Sequence, residues 1–525
     1  MIFFSKLTSQ SSAKPVVEHS SLHLYGVLCL LISFCVSIAV FGASTQDKQW
    51  FFAVSLVFIA GYSCLIFQKY LRPILLAATV SLIPLRIDFY LLYKPTGFIA
   101  TSYPGLPVTL FDLMLLTLIG YWLFQVLKGE QKIKIFPSIS IPFLIYIILT
   151  GISACWSADL ALSFSLWALV IKSYVAFLFF ANQIKNEQDV KIVIIGLCAG
   201  VLLQSFVGLL QYTGIESFAG LFGMPETGVK ESFQGRYILS RVTGTLGHPN
   251  TLAKYLALCI PAIFIFACMK LRSLPGKLAL LGAVAGGLTL LLTMSRGSWV
   301  GMGFAMAFVF FELLKRYFNS RLKSFILLSL ILGVSFIGTI SIFEDVRVRL
   351  FEDDYRSAQS RIPMAKIALN IIEENPVRGV GLNNYTRVMK QYDRTREWQS
   401  VIFPHPVHNS YLLITAESGI QTLLVFLWLI TAAIRLGRPA FDFSGSSLSL
   451  LQIGWIASLS TWLIAGLFDR DYAGSSIMLW FIVAMIAATS QMSFSKQAQT
   501  VKPNNRINRV SIKAVRDYGG SKSIR

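Results

Sequence analysis

Long apolar runs broken by short polar connections recur along almost the whole chain. Runs of suitable length fall at about 22–43, 50–68, 71–93, 108–127, 139–156, 162–182, 190–213, 249–270, 277–295, 298–315, 322–343, 409–434, 448–468 and 475–492. A hydrocarbon core of about 30 Å takes roughly twenty residues at 1.5 Å each, so each run can cross a bilayer. Each must do so as a helix, because lipid offers no partner to an open backbone amide or carbonyl. The pattern predicts an all-α polytopic membrane protein with about 12–14 transmembrane helices.

The polar connections order these runs. Every second one is basic: Lys69 and Arg72; Lys128, Lys132 and Lys134; Lys185 and Lys191; Lys270, Arg272 and Lys277; Lys315, Arg316, Arg321 and Lys323; Arg435 and Arg438; then the tail. The positive-inside rule places these connections and both termini in the cytoplasm. Two outward-facing loops are long. The expected layout is N-terminal transmembrane helices over 1–213, an outer loop over 214–248 and central helices over 249–343. A large outer loop over 344–408, C-terminal helices over 409–492 and a basic cytoplasmic tail over 493–525 complete it. In the large loop, Ile362, Ala365, Leu369 and Ile372 recur at helical spacing ahead of Pro376, which predicts an amphipathic helix on the outer face. A glycine-rich turn, Arg378-Gly-Val-Gly-Leu-Asn-Asn-Tyr385, follows it.

Composition narrows the class. The chain is 55% hydrophobic and only 14% charged, with a mean hydropathy of +0.64. Its formal charge is +20, of which the segment from Lys496 onward supplies eight basic residues against the single acid Asp517. That excess sits in the tail and in short loops, which suits anionic lipid headgroups and not nucleic acid. The seven cysteines show no CxxC or Cys/His metal spacing and read as small buried hydrophobes. About twenty polar residues precede the first apolar run, which is too long for the h-region of a cleavable signal.

Polar groups in or beside spanning helices are costly, so their placement is informative. On this topology Arg86, Asp88, Asp112, Lys254, Arg296 and Glu417 fall near outer helix ends, and His248, His405 and His408 lie at or in the outer loops. Lys172, mid-helix, is expected either to pair within the bundle or to snorkel. The sharpest signal is Pro404-His-Pro-Val-His-Asn-Ser-Tyr-Leu-Leu-Ile-Thr-Ala-Glu-Ser-Gly419, with His408 and Asn409 at the mouth of a span and Glu417 about two turns in. A histidine can take a proton from a hydroxyl near neutral pH.

His408-Asn409, nine residues, then Gly419 and Thr422 match the H-[NSQ]-x9-G-x2-[GTY] signature of the bacterial O-antigen ligase family, which the chain resembles. Three further segments are similar to that family: Arg241-Val-Thr-Gly-Thr-Leu-Gly-His-Pro-Asn250, Thr293-Met-Ser-Arg-Gly-Ser-Trp299 and Asn375-Pro-Val-Arg-Gly-Val-Gly381. The family's ligases typically have twelve spans, fewer than the fourteen runs here. The resemblance implies a glycosyltransferase of the inner membrane, without metal or nucleotide. Its donor would be an undecaprenyl-diphosphate-linked glycan and its acceptor a glycan or lipid-linked hydroxyl, with polysaccharide flippase or chain-length proteins as partners. It implies His408 as base, and Arg241 and Arg296 as stabilisers of the leaving diphosphate. Asn409 would orient His408 or hold a phosphate oxygen. Glu417 would fix the imidazole tautomer, pair with an arginine or simply pack helices. Arg361 and Asn250 are further candidates for substrate binding, although Arg361 can also pair with loop acids. By analogy with the family, a span count above twelve and the extended outer loop favour a polymerase or exopolysaccharide-type member over a ligase. The rival from another class is a secondary transporter or bicarbonate-like anion carrier, which would place its polar site at the bilayer midplane on broken helices.

Overall fold

The computed structural model describes residues 68–85, 89–91, 104–213, 229–233, 237–318, 361–396, 398–438, 447–471 and 476–500, with scattered positions between 320 and 347. Contacts divide the chain into two units, residues 1–74 and 75–525, and everything discussed below except the first turns of α1 lies in the second. Among the described residues ten helices are long and apolar enough to cross a membrane. They are α2 (Leu110–Leu127), α3 (Pro137–Cys155), α4 (Leu160–Gln183), α5 (Glu187–Thr213), α6 (Pro249–Lys270), α7 (Leu274–Leu292), α8 (Arg296–Phe318), α11 (Ile420–Gly437), α12 (Ser447–Ala465) and α13 (Ile477–Thr500). Between them come α1 (Gln68–Ser81), α9 (Arg361–Glu374) and α10 (Ser410–Ser418). The expected spans at 22–43 and 50–68, and nearly all of 322–343, lie outside the described residues.

Local chemistry sets the helix ends. Thr109 and Asp112 form a reciprocal capping box at the start of α2. Asp159 caps α4, and Ser273 caps α7 with Pro275 in the first turn. Two expected spans are corrected. The run at 71–93 is not one helix: α1 stops at Ser81, a turn over 82–84 ends in Pro84, and β1 (Phe89–Leu91) pairs antiparallel with β2 (Leu106–Val108). The run at 409–434 is broken at Gly419, whose φ of +83° is a conformation that side chains rarely adopt. A second hairpin, β3 (Val229–Phe233) with β4 (Tyr237–Arg241), lies between α5 and α6.

Helices α6, α12 and α13 form the inside of the bundle, while α2, α8 and α11 lie at its periphery. Close approaches use small residues, as expected where lipid supplies no hydrophobic drive between helices. Gly301 of α8 lies against the Thr461 carbonyl, and Gly454 of α12 against Ala262. Exposed Leu116, Leu123, Ile148, Phe304 and Leu424 present the apolar surface that lipid covers. Lys172 pairs within the bundle, 3.0 Å from Asp112.

The two ends of the bundle differ. At one, basic connections meet: Lys134 and Asn182 exchange backbone and side-chain hydrogen bonds, and Lys185 Nζ donates to Gln131 (2.7 Å). At the other sits a cap made of α9, α10 and the segment joining them. Its core is Met364, Ile367, Ala368, Ile371, Tyr385, Met389, Val407, Leu413 and Ala416. The amphipathic helix is therefore present, but its buried face is rotated by about one residue from expectation. Ile362 and Leu369 are exposed, because both faces carry aliphatic residues and only the packing partner, α10, chooses between them.

Candidate functional site at the capped end

The segment after β4 is a buried turn clamped by two glutamines of α5. Gln211 accepts the amides of Thr243 and Gly244 (2.9 and 2.8 Å), and Gln204 accepts that of Thr245 (2.9 Å). This clamp fixes Arg241, which is buried and does not snorkel. Its Nε donates to the Thr293 carbonyl (2.9 Å) and its Nη2 to Asn250 Oδ1 (2.7 Å). Asn250 thus holds the arginine from the first turn of α6, where His248 is the cap. The Thr293 carbonyl is available because α7 ends there and Met294 turns left-handed (φ 52°) before Arg296 opens α8. Gly297 brings that helix start against Phe468, next to Asp469.

Asp469 is the centre of the arrangement. It lies four residues past the end of α12, with its amide bonded back to Ala465, and is almost fully buried. Its Oδ1 stands 3.1 Å from His408 Nδ1 and its Oδ2 3.1 Å from Lys254 Nζ. Lys254 also donates to the Arg470 carbonyl (2.6 Å), and the Arg470 amide donates to Asp469 Oδ1 (2.9 Å). Burial works to raise the Asp469 carboxyl, but the Lys254 charge and the His408 hydrogen bond outweigh it and hold it well below the usual carboxylate range. The carboxylate is an acceptor only, so it takes a hydrogen from Nδ1 and leaves Nε2 as the basic nitrogen of His408. Burial, aided by the Arg470 charge, lowers His405 to about 4. Burial likewise lowers His248 to about 4; the Asp469 charge opposes this, while Arg241, Lys254 and Arg470 add to it.

The other expected site residues fall differently. Asn409 caps α10, its Oδ1 accepting the amides of Tyr411 and Leu412 (3.0 and 2.9 Å), while Nδ2 donates to the Leu467 carbonyl (3.2 Å). Its cap and that last bond seat the His408 segment on the end of α12. Glu417 is not the partner of the imidazole; Asp469 is. The Glu417 carboxylate instead accepts the amides of Asn383 (2.9 Å) and Tyr385 (3.1 Å). Its carbonyl accepts Ser153 Oγ and the Gly381 amide. Gly379 and Gly381, both with positive φ, let the turn lie directly on α10 and on Ser157. Arg361 opens α9 within the cap, and the described contacts around Asp469 do not include it.

Sequence reasoning missed Asp469 as a site residue. The available signal was the triplet Asp469-Arg470-Asp471 directly after an apolar run, facing a lysine, Lys254, inside another. Gln204 and Gln211, seven residues apart on one face of a span, were a second signal.

Residues 280–427 match the family model described as O-Antigen ligase. Over this segment, less than a third of the chain, the sequence is similar to the O-antigen ligase family. The match runs from α7 through α11 and includes Arg296, the cap and His408. Arg241, Lys254 and Asp469 lie outside it, and the fold alone brings Asp469 to His408 and Lys254 to Asp469. No curated protein matches the chain significantly. That match and the ten apolar helices among the described residues support a multi-pass membrane enzyme of polysaccharide assembly.

Proposed function

We propose that the chain is a glycosyltransferase that moves a glycan from an undecaprenyl-diphosphate carrier onto an acceptor hydroxyl, extending a surface polysaccharide. The observation that carries this is the His408–Asp469–Lys254 group beside buried Arg241. In the proposed step the acceptor oxygen attacks the anomeric carbon and His408 Nε2 takes its proton. The bond from that carbon to the phosphate oxygen breaks, and the lipid diphosphate leaves with the electron pair. Asp469 orients the ring and stabilises the imidazolium that forms. Arg241 and Arg296 offer always-charged donors to the diphosphate, whose negative charge grows as the bond breaks. Proton and electron pair balance without a metal or a nucleotide.

A polymerase fits the large capped loop and long chain better than a ligase, with a growing glycan as acceptor. The inner membrane, with the basic end of the bundle and both termini in the cytoplasm, follows from the charge distribution. A carrier would hold its polar residues at mid-depth, whereas here they gather at helix ends. The test is the surface glycan of a deletion strain, paired with transfer from purified undecaprenyl-diphosphate donor in the presence of EDTA. Short glycan and EDTA-resistant transfer support the reading. Full-length unattached glycan identifies a ligase, and normal glycan refutes both.

A further inference from the structure

One element of the cap takes no part in the chemistry above, yet it is built in a costly conformation. Trp398 leads into a helical turn, Gln399–Ile402, with left-handed backbone (φ 48°). For a bulky residue this is a rare and strained state that surrounding contacts must hold. Asp393 holds it. Its Oδ1 accepts the Thr395 amide (2.9 Å) and hydroxyl (2.5 Å), and its Oδ2 the Ser400 amide (2.7 Å). The Thr395 hydroxyl in turn accepts the Gln399 amide (3.1 Å).

The outcome of this clamp is display. Gln399 and Ser400 are buried, while Trp398, Val401 and Ile402 are 60%, 59% and 65% exposed. The Val401 and Ile402 amides both donate to the Trp398 carbonyl (2.9 and 3.3 Å), which keeps the three exposed residues together at one turn. Lys390, Arg394 and Arg396 are exposed in the same segment, Arg394 also reaching Glu374. Depth follows from a short chain of contacts. The Phe403 ring lies 6.1 Å from that of His408, His408 touches Asp469, and Asp469 bonds to the last residue of α12. The exposed edge is therefore close in chain and space to the end of a spanning helix, where headgroups lie. Tryptophan, aliphatic residues and flanking bases are what such an interface accepts.

We propose that Trp398, Val401 and Ile402 insert into the leaflet on the capped side, with Lys390, Arg394 and Arg396 on anionic headgroups, anchoring the cap to the bilayer beside His408. This rests on the membrane fold and not on the transfer reaction. The test uses the full chain in phosphatidylcholine–phosphatidylglycerol nanodiscs carrying acyl-brominated lipid, which quenches tryptophans that contact the acyl region. Trp398 is one of ten tryptophans, so its share is the difference between wild type and Trp398→Phe. That share is expected to be lost to brominated lipid and shielded from aqueous acrylamide. A Lys390→Gln, Arg396→Gln variant, whose surface changes leave the fold intact, should restore part of it. A Trp398 share quenched by acrylamide and untouched by brominated lipid overturns the anchor. So does a share shielded only by added oligosaccharide, which would make Trp398 a sugar platform.

Discussion

Two buried carboxylates stand at the capped end of the bundle in different company. Glu417 meets backbone amides, those of Asn383 and Tyr385, and its carbonyl receives Ser153. Asp469 meets ionisable side chains, His408 and Lys254. Backbone amides cannot titrate or move alone, so Glu417 is a pin that fixes the glycine turn to α10. Side-chain partners can exchange protons, so Asp469 is placed to bias the chemistry of His408. The carboxylate inside the family-like signature thus holds backbone, and the one outside it holds ionisable side chains.

The largest expected effects fall on the Asp469 side. His408→Ala should lower transfer by about 10²–10⁴-fold with normal protein level, the usual cost of losing a general base. Asp469→Asn should lower it by a similar order, roughly 10²-fold or more, because the amide favours the wrong tautomer. That change also leaves Lys254 buried without its counter-charge, at a cost of about 3–5 kcal/mol. Lys254→Met combined with Asp469→Asn should therefore regain thermal stability in detergent but not transfer. Recovery of transfer in that double variant would remove Asp469 from the mechanism.

Glu417→Gln should act on the other side of the comparison. Asn383 and Tyr385 donate to different oxygens of the carboxylate, and glutamine puts a donor in place of one of them, so stability should fall by about 1–3 kcal/mol. Transfer per folded molecule should hold, measured by thermal denaturation alongside the donor assay. A transfer defect with unchanged stability would make the two carboxylates alike.

A smaller effect concerns pH. His248 and His405 stay neutral in the fold down to about 4, against an ordinary 6.5. Between those values the unfolded chain binds more protons than the folded one, so stability rises with pH and is lost as pH falls from 6.5 toward 4. His405→Asn should flatten that acid limb of melting temperature against pH without lowering transfer at neutral pH. An unchanged limb would show that His405 is not held neutral. The smallest change is expected for Arg361→Gln, within about 0.5 kcal/mol in stability and with transfer near wild type. A large loss there would extend the site onto α9.

The glycine turn was legible in Arg378–Tyr385 because positive φ leaves a residue-type mark, as Gly379 and Gly381 show. The break at Gly419 was not, since the stretch around it is long enough to cross in one piece despite Glu417, Ser418 and Gln421. Likewise Arg241 and Asn250 were legible as candidates, but their mutual bond was not, because nothing in the segment says that its arginine folds back nine residues later.

By itself the sequence located most of the long apolar helices among the described residues and singled out the candidate histidine. Apolar length and loop charge are local quantities that the bilayer reads directly. Only the tertiary structure decided which polar groups meet. His408 and Asp469 are separated by 61 residues, and Asp469 and Lys254 by more than two hundred. Their contact depends on α6 and α12 packing side by side so that the start of one helix meets the end of the other. That register is set by small residues such as Gly454 against Ala262, a fit of shape that no single segment encodes.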